Sequence, residues 1–409
     1  MERREFLKFA AGGSAGSLLT PSPGRAQAKA PDRMKITRVR FYQSPNPKPI
    51  FNQSTGIVTV ETDQGLTGIG EGGSKDTVEQ AGAMLIGEDP SRIERLWQLM
   101  FRGYFYPAGR EKLHALGALD LALWDLKGKA LGVPVYELLG GLARDHVECY
   151  STGFPRKGTL KETAQACMEA GFRAFRTAIP DPGTDQPFDA QAMILKAHEA
   201  CREIREGVGP GGNWAIDFHT RFTVAEAVRL ASLLEPLRPL FVEDLVRSEN
   251  PGVYRALRPQ IHSPIAVGEQ FGARWDLNEL VEQHLIDHSR VTLPNCGGIT
   301  EFMKIAAICE THYVGLIPHF TGPVATAALV HACGAVSSPV LMEMTGAGPR
   351  EEPHLPRHFD FKNGKLWPNA RPGLGVEFDP KQATLRAEVT EHAAPIKSLR
   401  RPDGSVTNW

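Results

Sequence analysis

The chain has 409 residues, of which 42% are hydrophobic and 23% are charged, and its formal net charge is -1. This length allows a barrel plus a companion domain, and the composition is ordinary for a soluble globular protein. A near-neutral charge argues against a nucleic-acid or anionic-membrane partner, because such partners usually select a basic excess.

Residues 1–28 have the pattern of an export signal. Arg3 and Arg4 precede Phe-Leu-Lys, a short apolar run covers residues 9–19, and Ala-Gln-Ala at 26–28 is a small-x-small cleavage site. Paired arginines are typical of the twin-arginine route. The apolar run is about half the ~20 residues that span a bilayer, which favours cleavage over a membrane anchor. The sequence therefore predicts an exported, periplasmic protein.

The sequence pattern of residues 34–145 predicts an α+β domain. An alternating segment at 57–62, a turn at 63–65 and a second strand at 66–71 indicate a β-hairpin, and leucines at helical spacing follow in residues 113–131. Segments 46–49 and 102–107 are candidate loops that could close over the barrel mouth, and ordinary surface loops are the alternative.

From residue 146 to 354, short apolar strands alternate with amphipathic helices. This order predicts an α/β domain with a parallel barrel. The predicted strands are 147–152, 174–179, 214–219, 240–245, 265–270, 289–293, 314–320 and 340–344. A doubly wound sheet is the alternative, but the first strand is followed by Gly-Phe-Pro-Arg-Lys-Gly rather than a glycine-rich phosphate fingerprint. The Pro-rich segment 355–409 is expected to return to the first domain.

Three acidic residues recur at one spacing. Asp217, Glu243 and Glu269 are separated by 26 residues each time, and each follows an apolar strand. One βα unit takes about this many residues, so the three carboxylates are expected at the carboxyl ends of consecutive strands, where barrel enzymes place their active sites. Converging carboxylates without Cys or His ligands favour Mg2+ over zinc. Three unrelated acids in βα loops are the alternative.

Four more candidate site residues lie on or just after predicted barrel strands. His319 ends the seventh predicted strand, Glu343 ends the eighth, and Arg176 lies on the second. His219 lies two residues beyond Asp217 and shares its side of an extended strand. Histidines beside a metal at a barrel mouth are candidate acid and base. With a metal to stabilise the enediolate, such a site can remove the proton next to a carboxylate and then protonate a leaving hydroxyl.

Several motifs together resemble the enolase superfamily, in its mandelate-racemase-like acid-sugar dehydratase branch. The resemblance spans nearly the whole chain after the signal. The motifs are GALDLALWDLKGK at 117–129, GVPVY at 132–136, VED at 242–244, VGE at 267–269, CGGITE at 296–301 and PGLGV at 372–376. It implies a modified TIM barrel, (β/α)7β, under an N-terminal α+β capping domain, and Mg2+ ligation by Asp217, Glu243 and Glu269. Asp217-Phe218-His219 is similar to the Asp-x-His of galactonate and mannonate dehydratases, whose His is the acid for the leaving hydroxyl.

Two positions depart from that pattern. Many relatives carry Lys-x-Lys on the second strand, where this chain has Arg176-Thr177-Ala178. Relatives with a His base usually pair it with an Asp on the sixth strand, where this chain has Thr292, so His319 should be a weaker base. Mannonate dehydratases share both departures, but they use a Tyr from a long insertion, and residues 180–188 here are short and contain none.

The working hypothesis assigns His319 as base and His219 as acid, with Arg176 and Glu343 binding an acid sugar. The expected activity is loss of water to give a 2-keto-3-deoxy acid. A racemase or epimerase that returns the proton is the first alternative, and an exported barrel that binds sugar acids without turnover is the second. The family is commonly oligomeric, so a homo-oligomer is expected.

Overall fold

The computed structural model describes residues 33–45, 55–183, 185–320, 322–394 and 400–407. The predicted export signal at 1–28 and the predicted loop at 46–49 lie outside these ranges and stay predictions. From residue 34 onward the chain forms one compact unit. Among the described residues, no helix is both long and apolar enough to cross a membrane.

Strands and helices alternate along most of the chain. The strands are β1 (Ile36–Gln43), β2 (Ile57–Thr62), β3 (Thr67–Glu71), β4 (Val147–Thr152), β5 (Ala174–Ala178), β6 (Asn213–Asp217), β7 (Val242–Glu243), β8 (Ile265–Val267), β9 (His288–Ser289), β10 (Gly315–Leu316), β11 (Met342–Thr345), β12 (Asp360–Lys362), β13 (Lys365–Trp367) and β14 (Thr384–Val389). The α-helices are α1 (Lys75–Ala83), α2 (Ile93–Arg102), α3 (Arg110–Leu131), α4 (Val135–Leu138), α5 (Leu160–Glu169), α6 (Ala190–Val208), α7 (Val224–Leu234), α8 (Tyr254–Leu257), α9 (Arg274–Glu282), α10 (Leu293–Cys296), α11 (Ile299–Thr311) and α12 (Pro323–Ala335).

The N-terminal part is a capping domain built on an antiparallel sheet with the strand order β14-β1-β2-β3. β2 and β3 form the predicted hairpin, with Ile57 opposite Glu71. Alternation places Val58 and Val60 in a core that helices α1, α2 and α3 cover, and both valines are fully buried. The α+β character of this region follows from that alternation.

Helix α3 joins the capping domain to the barrel. It packs on β3 and on α10. A Cβ on Gly117 would overlap the backbone of Pro294, so glycine permits the close approach of α3 to the barrel. Asp120 fixes the same contact, because its carboxylate accepts hydrogen bonds from the Thr300 backbone N–H at 3.0 Å and hydroxyl at 2.6 Å.

The barrel has eight parallel strands and seven connecting segments with helices. β4 to β10 pair in chain order, β11 pairs with β4, and a bridge between Leu316 and Val340 closes the circle. The (β/α)7β prediction is therefore confirmed. Side chains of Tyr150, Phe241 and Ile317 fill the interior, so the barrel is a packed core rather than a pore.

The strands are shorter than predicted. The sixth and seventh have two residues each, β9 and β10, where the apolar pattern predicted five and seven. Apolar residues continue past the hydrogen-bonded strands into buried βα loops. Hydrophobicity alone therefore overestimates the length of each strand. All six cysteines are buried and unpaired, as expected for small apolar residues.

The C-terminal segment contacts both parts of the molecule. β12 and β13 form a hairpin whose second strand pairs antiparallel with β4 of the barrel. β14 then pairs antiparallel with β1 of the capping domain. The Leu374 backbone N–H donates to Asp125 Oδ1 of α3 at 2.8 Å. The tail thus touches the barrel as well as the domain to which it was expected to return.

Candidate active site

Carboxylates converge where three neighbouring barrel strands end. Asp217 is the last residue of β6, Glu243 is the last residue of β7, and the two are paired in register. Glu269 lies two residues past the end of β8. Both Asp217 and Glu243 are fully buried, whereas the Glu269 side chain is 15% exposed. The equal spacing in the sequence thus corresponds to three acids on one edge of the barrel.

One close acidic group among the described residues differs from the predicted set of metal ligands. Ligand atoms of Glu243, Asp244 and Glu269 all lie within 4.8 Å of one another, and Asp217 is not in this group. Asp217 instead forms an ion pair with Arg176, which also donates to both Glu243 oxygens at 2.9 Å. Asp244 was not predicted as a site residue, although it follows Glu243 directly.

The donor set fits a hard divalent cation. Every ligand candidate is a carboxylate oxygen, which is the chemistry that Mg2+ and Ca2+ select. Four acids of the site outnumber the two guanidiniums of Arg176 and Arg290 that contact them: Asp217, Glu243, Glu269 and Glu343. Burial raises the pKa of Glu243 to about 7, and a cation beside this carboxyl would favour its ionised form.

Asp244 supports the same fit. It is 3% exposed, and its Oδ2 has no hydrogen-bond partner among the described residues. Burial raises the pKa of its carboxyl well above the usual value. An orphaned oxygen beside two carboxylates is a group that a cation would satisfy.

Arg290 is a central residue that the sequence analysis missed. It is fully buried between the short strand β9 and Thr292, and it contacts Glu243 and the hydroxyl of Tyr150. Its Nη2 donates to Glu343 Oε2 at 2.7 Å and lies 3.5 Å from Glu269 Oε2. Arg290 therefore holds three of the site carboxylates together. The available signal was its position two residues before Thr292 within the predicted strand 289–293, where alternate residues share one side.

Glu343 lies inside β11 rather than at its end, which corrects the prediction. It is 1% exposed and accepts hydrogen bonds from Thr152 Oγ1 at 2.5 Å and from Arg290. Burial opposes its ionisation, but the guanidiniums of Arg290 and Arg176 hold the pKa of Glu343 well below its usual range. Glu343 is thus an ionised carboxylate that faces the same interior as Arg176.

His219 reaches the site by a turn rather than along an extended strand. β6 ends at Asp217, and His219 has a φ of 50°, so the assumption of period two is wrong at this residue. The ring nevertheless returns to Asp217, with 2.8 Å between Nε2 and Oδ2. The hydrogen bond to Asp217 raises the pKa of His219 above its ordinary value. His219 is 45% exposed, so it can exchange protons with solvent.

His319 lies across the mouth, three residues past β10. It is buried, and its Nε2 is 3.4 Å from Glu269 Oε2. Its Nδ1 lies 3.2 Å from the hydroxyl of Thr292, the residue expected to leave it without a carboxylate partner. Burial lowers the pKa of His319, and Glu269 only partly offsets this effect. The ring is therefore neutral near pH 7.

Family models match two parts of this chain. A model of enolase C-terminal domain-like proteins matches residues 159–383, and one of the mandelate racemase/muconate lactonizing enzyme N-terminal domain matches residues 47–140. The chain is 37% identical over 394 residues to a D-galactonate dehydratase of Ralstonia pickettii and 36% identical to one of Cronobacter sakazakii. Each match covers 92% of this chain and 100% of the relative.

Solved structures agree with these matches. An enolase from Pantoea ananatis with bound D-gluconate and magnesium has a TM-score of 0.76 at 29% identity, over 85% of this chain and 94% of that one. An enolase from Agrobacterium radiobacter with bound sodium and L-malate has a TM-score of 0.75 at 30% identity, over 91% and 99%.

The chain belongs to the mandelate racemase/muconate lactonizing enzyme family of the enolase superfamily. Within that superfamily it belongs to the acid-sugar dehydratase branch. The resemblance first seen in the sequence motifs is confirmed.

Proposed function

We propose that this protein is a Mg2+-dependent hydro-lyase acting on an acid sugar of the D-galactonate or D-gluconate type. The reaction removes the proton from C2, expels the C3 hydroxyl as water, and gives a 2-keto-3-deoxy acid after tautomerisation. One observation carries the proposal most directly: two histidines with opposite pKa shifts contact two different carboxylates of one buried acidic cluster. The full-length similarity to D-galactonate dehydratases supports the same reaction.

Asp217, Glu243 and Glu269 would hold the cation, and Asp244 is a further candidate ligand. A cation bound there would stabilise the negative charge that develops on the substrate carboxylate as the C2 proton leaves. Arg176 lies next to these ligands and can donate to the substrate carboxylate. Glu343 can accept a hydrogen bond from the substrate.

His319 acts as the base in this proposal. A base must be neutral to accept a proton, and the buried ring of His319 is neutral because burial lowers its pKa. The Thr292 hydroxyl at Nδ1 orients the ring without supplying charge, and Nε2 faces Glu269. The proton from C2 therefore transfers to Nε2.

His219 acts as the acid. Asp217 stabilises the imidazolium of His219, so this ring carries a proton at a pH where His319 does not. An acid and a base whose environments move their pKa values apart are a recurring arrangement in enzymes that work near pH 7. The His219 proton is delivered to the departing C3 hydroxyl.

The test uses the purified mature chain with acid sugars in deuterated buffer, followed by proton NMR, first with Mg2+ and then with chelator. We expect Mg2+-dependent exchange at C2 and a 2-keto product. His319→Asn should abolish exchange at C2, whereas His219→Asn should keep exchange and lose dehydration. Full exchange by His319→Asn would show that the base is wrongly assigned. An inverted stereocentre without loss of water would identify an epimerase, and absence of turnover would favour a binding protein.

Export through the twin-arginine route is also proposed, on Arg3, Arg4 and the small-residue site at 26–28. That route carries folded proteins, which suits a chain with six unpaired cysteines. Fractionation of cells that express the full chain and an Arg3→Lys/Arg4→Lys variant tests it: a periplasmic product shortened after about residue 28 is expected only for the wild type. A homo-oligomer is proposed as well, and light scattering coupled to gel filtration would measure it.

A further inference from the structure

Two histidines meet at the end of the barrel that is opposite to the carboxylate cluster. His284 follows helix α9 and His312 follows helix α11, and the two helices pack against each other. Each helix leads back to the start of the next strand, β9 or β10, whereas the cluster lies at the carboxyl ends of the strands. His284 is exposed and His312 is half-buried. The pair is therefore separate from the residues assigned to catalysis.

The two imidazole rings have the separation that a shared metal ion requires. Their centroids are 5.7 Å apart, and their planes are inclined by 56°. A ligating imidazole nitrogen lies about 2.0–2.1 Å from zinc, which puts the centre of each ring about 3.2 Å from the metal. Two such rings at a tetrahedral or slightly wider angle have centres about 5–6 Å apart. His284 and His312 are therefore close enough to bind one ion together.

A hydrogen bond determines which nitrogen of His312 can bind a metal. Its Nδ1 lies 2.9 Å from the carbonyl oxygen of Ile308. Because a carbonyl oxygen can only accept, Nδ1 carries the proton, and Nε2 of the neutral ring presents a lone pair. Metal-binding histidines usually donate their other nitrogen to a carbonyl or a carboxylate in this way. His312 is thus oriented as a metal ligand through Nε2.

The backbone holds His284 in a conformation that residues other than glycine seldom adopt. Its φ is 52°, and it stands just after the end of α9, where helices most often place glycine. The two hydrogen bonds of that helix end are present: His284 N–H donates to the Val281 carbonyl at 3.0 Å, and Leu285 N–H donates to the Leu280 carbonyl at 2.9 Å. Uncommon backbone conformations cluster at functional sites. Glycine would end this helix with less strain, so the imidazole indicates a role beyond the helix end.

The surroundings favour a cation that water partly coordinates. Helices α9 and α11 both end here, and the free carbonyl groups at a helix C-terminus carry a partial negative charge. Among the described residues, the one group of three or more closely spaced His, Cys, Asp or Glu ligands is the catalytic one, so no third protein ligand is set beside this pair. All six cysteines are buried, which removes thiolates as competing surface ligands.

We propose that His284 and His312 together bind a divalent transition-metal ion, Zn2+ or Cu2+, at a site separate from that of Mg2+. Imidazole nitrogens select these ions, whereas Mg2+ prefers oxygen ligands. The bound ion joins the ends of two neighbouring helices and stabilises the folded chain by mass action. This site is independent of the dehydratase reaction.

Cu2+ tests the site, because electron paramagnetic resonance distinguishes one nitrogen ligand from two. The purified mature chain, free of any affinity tag, is saturated with Mg2+ and then given one equivalent of Cu2+. We expect coordination by two imidazole nitrogens. In calorimetry, Kd for Cu2+ should rise about tenfold or more in His284→Asn and in His312→Asn, since each variant loses one ligand. Asparagine tolerates positive φ, so His284→Asn preserves the end of α9.

His262→Asn is the matched control. The His262 side chain is 76% exposed, and its Nδ1 lies 3.3 Å from Glu235 Oε2. This variant should leave both the nitrogen count and Kd unchanged. Coordination by a single nitrogen in the wild type, unchanged binding in either site variant, or an equal loss in the control would overturn the proposal.

Thermal unfolding gives a second measurement. In the presence of Mg2+, added Zn2+ should raise the melting temperature of the wild type and of His262→Asn more than that of the double variant His284→Asn/His312→Asn. The shift caused by Zn2+ is compared within each variant, so a change in basal stability does not affect the result. An equal shift in the double variant would place the stabilising ion elsewhere. That result, or no binding of either metal, would overturn the proposal.

Discussion

Arg290→Met tests how far one buried cation holds the site together. Arg290 is fully buried and contacts Glu243, Tyr150 and Glu343, the last at 2.7 Å. Methionine fills much of its volume but removes the main counter-charge of Glu343 and one of the two guanidiniums that contact Glu243. Removal of one member of a buried ion pair costs about 3–5 kcal/mol. With an unfolding entropy of about 2.1 cal/mol/K per residue over this chain, the melting temperature should fall by about 4–6 °C.

The assay is thermal unfolding of the variant and the wild type at pH 7, with and without Mg2+. Arg247→Met is the matched control, because Arg247 pairs with Glu249 on the surface, where the two side chains are 71% and 61% exposed. The control should leave the melting temperature nearly unchanged, because solvent screens an exposed ion pair. Added Mg2+ should narrow the gap between Arg290→Met and the wild type, since a bound cation supplies charge to the same carboxylates. Equal melting of the two variants would refute the reasoning.

Three further predictions concern other parts of the molecule. Thr292→Asp puts a carboxylate beside Nδ1 of His319, which lies 3.2 Å from the Thr292 hydroxyl in the wild type. This negative charge should raise the pKa of the His319 ring. Because the base must be neutral to accept a proton, the acid limb of the profile of kcat/KM against pH should move to higher pH. Gly322→Ala should destabilise the fold by about 1–3 kcal/mol in denaturant titrations, since its methyl group overlaps Glu71. Burial raises the pKa of Asp120 to about 7 in the folded protein. The protonated carboxyl therefore contributes stability that is fully present below about pH 4 and is lost as the pH rises through 7. Asp120→Asn should flatten the plot of melting temperature against pH between these two values.

Each of these three predictions has a measurable outcome that would contradict it. An unmoved acid limb in Thr292→Asp, with activity retained, would show that His319 is not the group that titrates in catalysis. Gly211→Ala is the control for Gly322→Ala, because a Cβ on the exposed Gly211 meets nothing within 4 Å, and equal effects of the two alanines would remove the steric argument. An Asp120→Asn profile parallel to the wild type between pH 4 and 7 would place the titrating group elsewhere.

The barrel and its acidic edge could be predicted from the sequence, because both depend on local patterns. Apolar strands at βα spacing predict the topology, and the 26-residue interval places Asp217, Glu243 and Glu269 at one end of it. The ends of the strands could not be predicted as well, because the buried loops continue the same apolar pattern. His219 shows the same limit at atomic scale: its φ of 50° depends on a turn that hydrophobic periodicity does not encode.

The remaining site residues depend on contacts between distant segments. Arg290 follows a strand of two residues, and its contacts with Glu243 and Glu343 form only when the barrel is closed. Asp244 was part of a recognised motif, but only its burial and its orphaned oxygen distinguish it from a solvated acid.

The pairing of β1 with β14 sets the order in which this molecule can be completed. Val39 pairs with Val389, so the capping sheet needs a strand that the ribosome makes 350 residues after β1. Until then β1 presents an open edge, the kind of surface on which nascent chains aggregate. All eight barrel strands have already been synthesised by that time, since the last of them ends at Thr345. The capping sheet is therefore completed only after the whole barrel has been synthesised, and a chain that stops short of residue 384 leaves this sheet with three of its four strands.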